Sequence, residues 1–170
     1  MLLGSTDTRQ TYAQEEALII DLIGQMRYAE AYLLLKKELP HEPSTQYNLA
    51  LCHYWAGNYQ EALICLDKAK TALPRNAGDP MLQNDQFYSV MSQKQNQQEE
   101  YLKPISKKFT NLFGVSTNDA IIRLKTDCWL QLGNFSKVIE IATPIASKNY
   151  KNIADALQVA TNRNTDEQRI

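Results

Sequence analysis

The stretch from Gln46 to Pro74, QYNLALCHYWAGNYQEALICLDKAKTALP, restricts the fold more than any other part of the chain. Apolar or small residues recur at helical spacing through Leu49, Ala50, His53 and Tyr54, then stop at Gly57. A second run passes through Tyr59, Ala62, Leu63, Leu66, Ala69 and Leu73 and ends at Pro74. The connecting Ala56-Gly57-Asn58 has room only for a reversal, so the spacing predicts two antiparallel helices. Ala50, Ala62 and Ala69 are small where the two backbones approach, and Leu49, Tyr59 and Leu66 fill the spaces between.

At these residues the sequence resembles the tetratricopeptide repeat family. That family carries a Leu followed by a small residue on its first helix, then Ala, a bulky residue, a second Ala and a closing Pro on its second. Leu49-Ala50, Gly57-x-Tyr59, Ala62-x-x-x-Leu66, Ala69 and Pro74 stand at the family's spacing, while Gln46 and His53 replace its two aromatics. The pattern recurs upstream in Arg27-Tyr28-Ala29-Glu30-Ala31 with Leu35, Leu39 and Pro43, preceded by a first helix from Thr11 to Ile23. In that pair Ile19 replaces the small residue and Glu38 the second Ala. Downstream, Leu132-Gly133-Asn134-Phe135 echoes Ala56-Gly57-Asn58-Tyr59. Ser116-Thr117-Asn118-Asp119 reads as a capping start for the helix before it. There Lys125 replaces the usual Leu, and Pro144 should kink or shorten the second helix.

The two Gly-Asn turns lie 76 residues apart, which leaves room for one further hairpin. Asp79-Pro80 reads as a helix start, Phe87, Val90 and Met91 as one apolar stripe, and Leu102, Ile105, Phe109, Leu112 and Phe113 as its partner. The polar run 92–100 is an extended turn, a pair of helix ends projecting beyond the array, or part of one continuous helix from Pro80 to Lys103. The expected organisation is a single all-α domain over 1–170. It has helical hairpins at about 11–43, 44–75, 79–115 and 116–149, a capping helix at 152–163 and a frayed tail at 164–170. The resemblance implies that the pairs stack into a right-handed superhelix with first helices lining a concave face.

Other classes receive little support. Hydrophobic residues make up 44% of the chain, enough for a core, and the net charge of −1 argues against a nucleic-acid binder relying on overall basicity. Residues 1–100 carry 8 Lys/Arg against 13 Asp/Glu and residues 101–170 carry 10 against 6. That split reads as ordinary solvated faces, or as a polar axis able to orient a charged partner. Cys52, Cys65 and Cys128 form neither a disulfide framework nor a zinc pattern and read as small buried hydrophobes. The start Met1-Leu2-Leu3-Gly4-Ser5 lacks a basic, apolar leader, and no apolar stretch approaches membrane-spanning length, so a soluble cytoplasmic protein is the expectation. His41 beside Glu42 has no nucleophile or second carboxylate placed with it, and no phosphate loop or calcium loop is present; no enzyme and no cofactor is expected.

Function is expected in the groove that the resemblance implies. Its matching positions are Ser44, Tyr47, Asn48, Leu51, Tyr54 and Trp55 in the best repeat, and Arg123, Asp127, Leu130 and Gln131 near the C-terminus, with Glu16 and Ile20 in the first hairpin. Tyr54 and Trp55 either form a binding surface or pack on the neighbouring hairpin. The carboxylate clamp that some family members use on heat-shock chaperones is not expected. Glu16 and Ile20 replace its first Lys and Asn, and only Asn48 matches. The leading expectation is an adaptor that binds another protein or peptide. A small chaperone similar to the repeat-containing chaperones of bacterial type III secretion is the alternative, though the extra residues mid-array depart from that family's compact three repeats. A self-associating scaffold, a homo-oligomer pairing through Leu2, Leu3 and Phe113, is the third.

Overall fold

Helical periodicity dominates the chain, and the computed structural model places nine α-helices and no strand among its described residues, 5–74 and 85–167. They are α1 (Ser5–Gly24), α2 (Tyr28–Leu35), α3 (Pro43–Trp55), α4 (Tyr59–Ala72), α5 (Gln86–Asn96), α6 (Lys107–Leu112), α7 (Gly114–Gln131), α8 (Phe135–Ala142) and α9 (Lys151–Glu167). Short 3-10 turns cover Glu100–Leu102 and Thr143–Lys148.

Three connections share one geometry, and the backbone explains it. At Gly57 the chain turns left-handed (φ +76°), the Gly57 amide donates to the Tyr54 carbonyl and the Asn58 amide to the His53 carbonyl. Gly133 (φ +69°) repeats this, its amide donating to Leu130 and that of Asn134 to Trp129. Met26 (φ +60°) does the same with Ile23, and Arg27 with Leu22, so a side-chain-bearing residue takes the glycine position in the first pair. Each turn reverses the chain into an antiparallel pair: α1 with α2, α3 with α4, α7 with α8.

Ala50, Ala62 and Ala69 are fully buried at the α3–α4 seam, as their size requires for close helix approach. Successive pairs then stack, α2 on α3, α4 on α7, and α8 on α9, which also contacts α7 and closes the array. The stack therefore passes from α4 directly to α7. Lys125, in the place of a usual Leu, reaches Asp67 of α4 at 2.5 Å across this junction.

Several local expectations shift. α2 ends at Leu35 and not near Leu39, because Leu39 precedes Pro40 and is pushed out of helical geometry; it is exposed. α7 starts at Gly114, so Ser116 to Asp119 lie within its first turns and do not cap it. α8 ends at Ala142 and continues as 3-10 turns through Pro144, whose missing N–H and ring bar a longer α-helix. Among the described residues between α4 and α7, the chain does not form a further regular helix pair. α5 stops at Asn96, the backbone is extended at Lys103 and at Ser106, and α6 is less than two turns long. Pro104 forces Lys103 out of helical geometry, and Ser106 caps α6 by accepting the Phe109 amide at 3.1 Å. Asp79-Pro80, Leu2 and Leu3 lie outside the described residues.

Candidate functional site

The face shared by α3 and α7, the first helices of successive pairs, carries the segment 96–107, which crosses it like a strap. The strap starts at the α8–α9 connection, where the Asn96 and Gln97 side-chain amides donate to the Lys148 and Asn149 carbonyls, both at 2.9 Å. It ends beside the first pair, where the Lys107 amide donates to Glu16 and its ammonium pairs with Glu42 at 2.7 Å. With Lys125 and Asp67, this contact joins cations of the basic C-terminal part to carboxylates of the acidic N-terminal part.

Between those ends the array grips main chain. Asn48 of α3 bonds the Ile105 main chain twice: its Nδ2 donates to the Ile105 carbonyl at 2.9 Å and its Oδ1 accepts the Ile105 amide at 3.0 Å. The Tyr47 hydroxyl donates to the Tyr101 carbonyl. Arg123 Nη2 of α7 donates to the Gln98 carbonyl at 2.8 Å. Side chains at 3.6-residue spacing on α3 place Tyr47 and Asn48 next to each other along the strap, with Ser44 and Leu51 one turn away on either side. All four are buried.

Tyr101 and Ile105 are the strap's buried side chains, at 6% and 9% exposure, and Leu102 packs half-buried against the same core. The Tyr101 hydroxyl donates to Asp127 Oδ2, while Asp127 Oδ1 accepts from Asn152 Nδ2 of α9 at 3.0 Å. The Arg123 guanidinium lies between two rings, 4.2 Å from the Tyr101 centroid and 4.5 Å from that of Tyr150, and its Nε donates to Asn152 at 2.8 Å. Burial pushes the Asp127 carboxyl above the ordinary carboxylate value, against the lowering effect of its bonds from Tyr101 and Asn152. Burial likewise holds the Tyr101 and Tyr47 phenols well above their usual value and lowers that of the Arg123 guanidinium.

The other expected groove residues divide. Trp55 is half exposed and stacks on Tyr28 of the preceding pair, centroids 5.8 Å apart at 17°. Tyr54 meets Trp55 and Tyr59 edge-on. Trp55 thus packs on the neighbouring hairpin while keeping an open face, and the ring contacts of Tyr54 lie within its own hairpin. Leu130 turns away from the strap and packs with Val138, Ala156 and Ala160, and Gln131 is exposed. His53 sits half-buried with its ring edge-on to Tyr32 at 5.5 Å, and burial lowers its pKa. Sequence reasoning missed the strap's own residues, Tyr101 and Ile105, because Leu102, Ile105 and Phe109 read as one helical stripe. Pro104 followed by the capping Ser106 was the signal against that helix.

Beside the strap, a cleft of about 840 Å³ opens between α5 and the start of α7, with Tyr88, Phe109, Phe113, Asp119, Lys148 and Tyr150 among its lining. Asp119 Oδ2 accepts from Lys148 at 2.6 Å and from the Tyr150 hydroxyl at 2.7 Å. Phe109 and Phe113 pack together at 5.1 Å. Among the described residues, no group of three or more His, Cys, Asp or Glu is placed to hold a metal ion, and no helix is long and apolar enough to cross a membrane. Cys52, Cys65 and Cys128 are buried thiols, the first and last pushed up to about 12 by burial.

The sequence profile of the tetratricopeptide repeat matches residues 43–76, which are α3, its Gly57 turn and α4. No curated protein and no solved structure matches the chain. The chain carries a tetratricopeptide repeat at residues 43–76, set within an all-helical array of packed pairs.

Proposed function

We propose that the chain is a protein-binding adaptor that takes a polypeptide segment, part 3-10 turn and part extended, on the face formed by α3 and α7. One observation carries this reading: Tyr47, Asn48 and Arg123 all bond main-chain groups of a passing segment, at Tyr101, Ile105 and Gln98. Main-chain bonding holds a polypeptide segment whatever its sequence, and adjacent pockets for a few side chains add specificity. Asp127 supplies one such pocket. Ser44 and Leu51 line the same face, and Tyr54 and the open side of Trp55 extend it toward the array edge. Leu130 and Gln131 stand outside the gripping set. Repeats of this kind are typically interaction modules and not catalysts, which agrees with a site made for holding.

The test is a display library of twelve-residue peptides panned against the full chain. Retained peptides should lose at least about tenfold in affinity on Arg123→Ala, the scale of a desolvated Arg anchor. Peptides that bind the Arg123→Ala and Asn48→Ala variants as tightly as the parent would refute the assignment to this face.

A self-associating scaffold is the second reading, and α5 favours it. That helix buries none of its side chains and leaves Phe87 76% exposed, beside Val90 and Met91. Sedimentation that depends on concentration in the parent, but not in Phe87→Glu, is expected if it holds.

A further inference from the structure

We infer that residues 98–105 are a ligand held in cis: the α3–α7 face fits a polypeptide with a tyrosine followed four residues later by an aliphatic side chain. The chain fills that face with its own copy until a partner presents the same pattern. This rests on the reading above, that the face binds polypeptide, and adds the chemistry of the partner.

Three observations combine. Within 97–106, Tyr101 and Ile105 are the buried residues, Leu102 packs half-buried on the same core, and Gln97, Gln98, Glu99 and Lys103 are exposed, so Tyr101 and Ile105 are the segment's main anchors. Every polar bond from α3 to it goes to main chain, which any polypeptide supplies. The bond that selects a side chain is the one from the Tyr101 hydroxyl to Asp127, under the Arg123 guanidinium. A phenylalanine there would leave the carboxylate with an unfilled lone pair in a half-buried site, so the hydroxyl is required.

Release of the segment takes Tyr101 and Ile105 out of the main core but keeps the direct contacts between the stacked pairs. α4 stacks on α7 without help from it, and α5, which precedes it, contributes no buried side chain. Local opening of this kind draws on the weakly packed parts of a structure.

The experiment uses the full chain and a dye-labelled peptide of its residues 97–106, followed by fluorescence anisotropy. An unlabelled copy is added to isotope-labelled chain for amide exchange. The peptide should bind, and Tyr101→Phe or Tyr101→Ala in the peptide should weaken binding at least about tenfold. Saturating peptide should speed exchange of the chain's own Ile105 amide by about tenfold or more, leaving the Leu124 and Cys128 amides unchanged. Failure to bind the native chain, or binding that leaves Ile105 exchange unaltered, overturns exchange between cis and trans ligands. A full chain carrying Tyr101→Ala and Ile105→Ala, checked for helical content, separates the two readings. If the parent peptide binds that variant alone, the face binds polypeptide and the segment blocks it permanently, so the reading of the face stands and exchange with a partner falls. If it binds neither chain, both fall. Should the variant not fold, the native chain decides without it: an Ile105 amide that exchanges no faster than Leu124 marks the strap as permanent core and ends the inference.

Discussion

Asn48→Ala is the sharpest test of how the strap is held. Asn48 is 3% exposed, and both arms of its amide are spent on the main chain of one residue, Ile105, itself 9% exposed. Truncation removes two hydrogen bonds and strands a donor and an acceptor. A buried group left without its partner costs about 1–3 kcal/mol, and two such groups near the edge of the core, where water can reach them after slight opening, set the loss at roughly 2–3 kcal/mol. Urea unfolding followed by circular dichroism measures it. With a slope near the upper end of the usual ~1–3 kcal/mol per molar, the midpoint should fall by roughly 1 M. Asn48→Asp adds a directional check. It keeps the acceptor for the Ile105 amide but turns a carboxylate oxygen toward the Ile105 carbonyl, and burial favours the protonated form that can donate there. Its deficit should therefore shrink as the pH is lowered from 7 toward 4. An Asn48→Ala midpoint within about 0.2 M of the parent would refute the account, because stranded buried groups cannot be that inexpensive.

Arg123→Lys should lose roughly 1–3 kcal/mol in the same assay, since a lysine cannot lie flat between the Tyr101 and Tyr150 rings while bonding Gln98 and Asn152; parental stability would contradict the sandwich. The Asp127 carboxyl is raised in the folded state, so its contribution is fully present below the ordinary carboxylate value and is lost as pH rises through the raised one. Asp127→Asn should accordingly lose ground to the parent as the pH is lowered from 7 to 4.5 in thermal melts, and parallel curves would rule this out. Met26 holds a left-handed conformation with its side chain 75% exposed, so Met26→Gly should stabilise by up to about 1 kcal/mol, while Gly57→Ala should destabilise by about the same amount; urea midpoints moving in one common direction would contradict the turn geometry. Native Cys52 and Cys128 should resist a thiol-disulfide reagent at pH 8 until urea is added, because burial disfavours their thiolates; rapid labelling of folded protein would count against it.

What the sequence disclosed was local. Leu49, Ala50, Ala62, Leu66 and Ala69 define α3 against α4 because both helices and their turn lie within 30 residues, and helical period plus Gly57 is enough to write the pair. Gly133 did the same for α7 and α8, and Pro144 for the end of α8. Tyr47, Asn48, Arg123 and Asp127 were legible as one face, but not what lies on it. Asn48 meets Ile105 across 57 positions, and no periodicity relates them. Leu102, Ile105 and Phe109 looked helical because apolar spacing was weighed above Pro104. The polar run before them joins the array through side-chain amides, which carry no hydrophobic pattern to read. Leu130 followed the family's spacing toward the groove, yet its neighbours on α8 and α9 claimed it.

The direct passage of the stack from α4 to α7 has a consequence for assembly order. Each hairpin closes on a short turn, whereas the α4–α7 junction, where Lys125 meets Asp67 across 58 positions, and the strap, where Asn48 meets Ile105 across 57, both need long closures. The hairpins can therefore form while residues 96–107 are still unplaced, so that the newly made protein passes through a form with the side chains of its receiving surface bare.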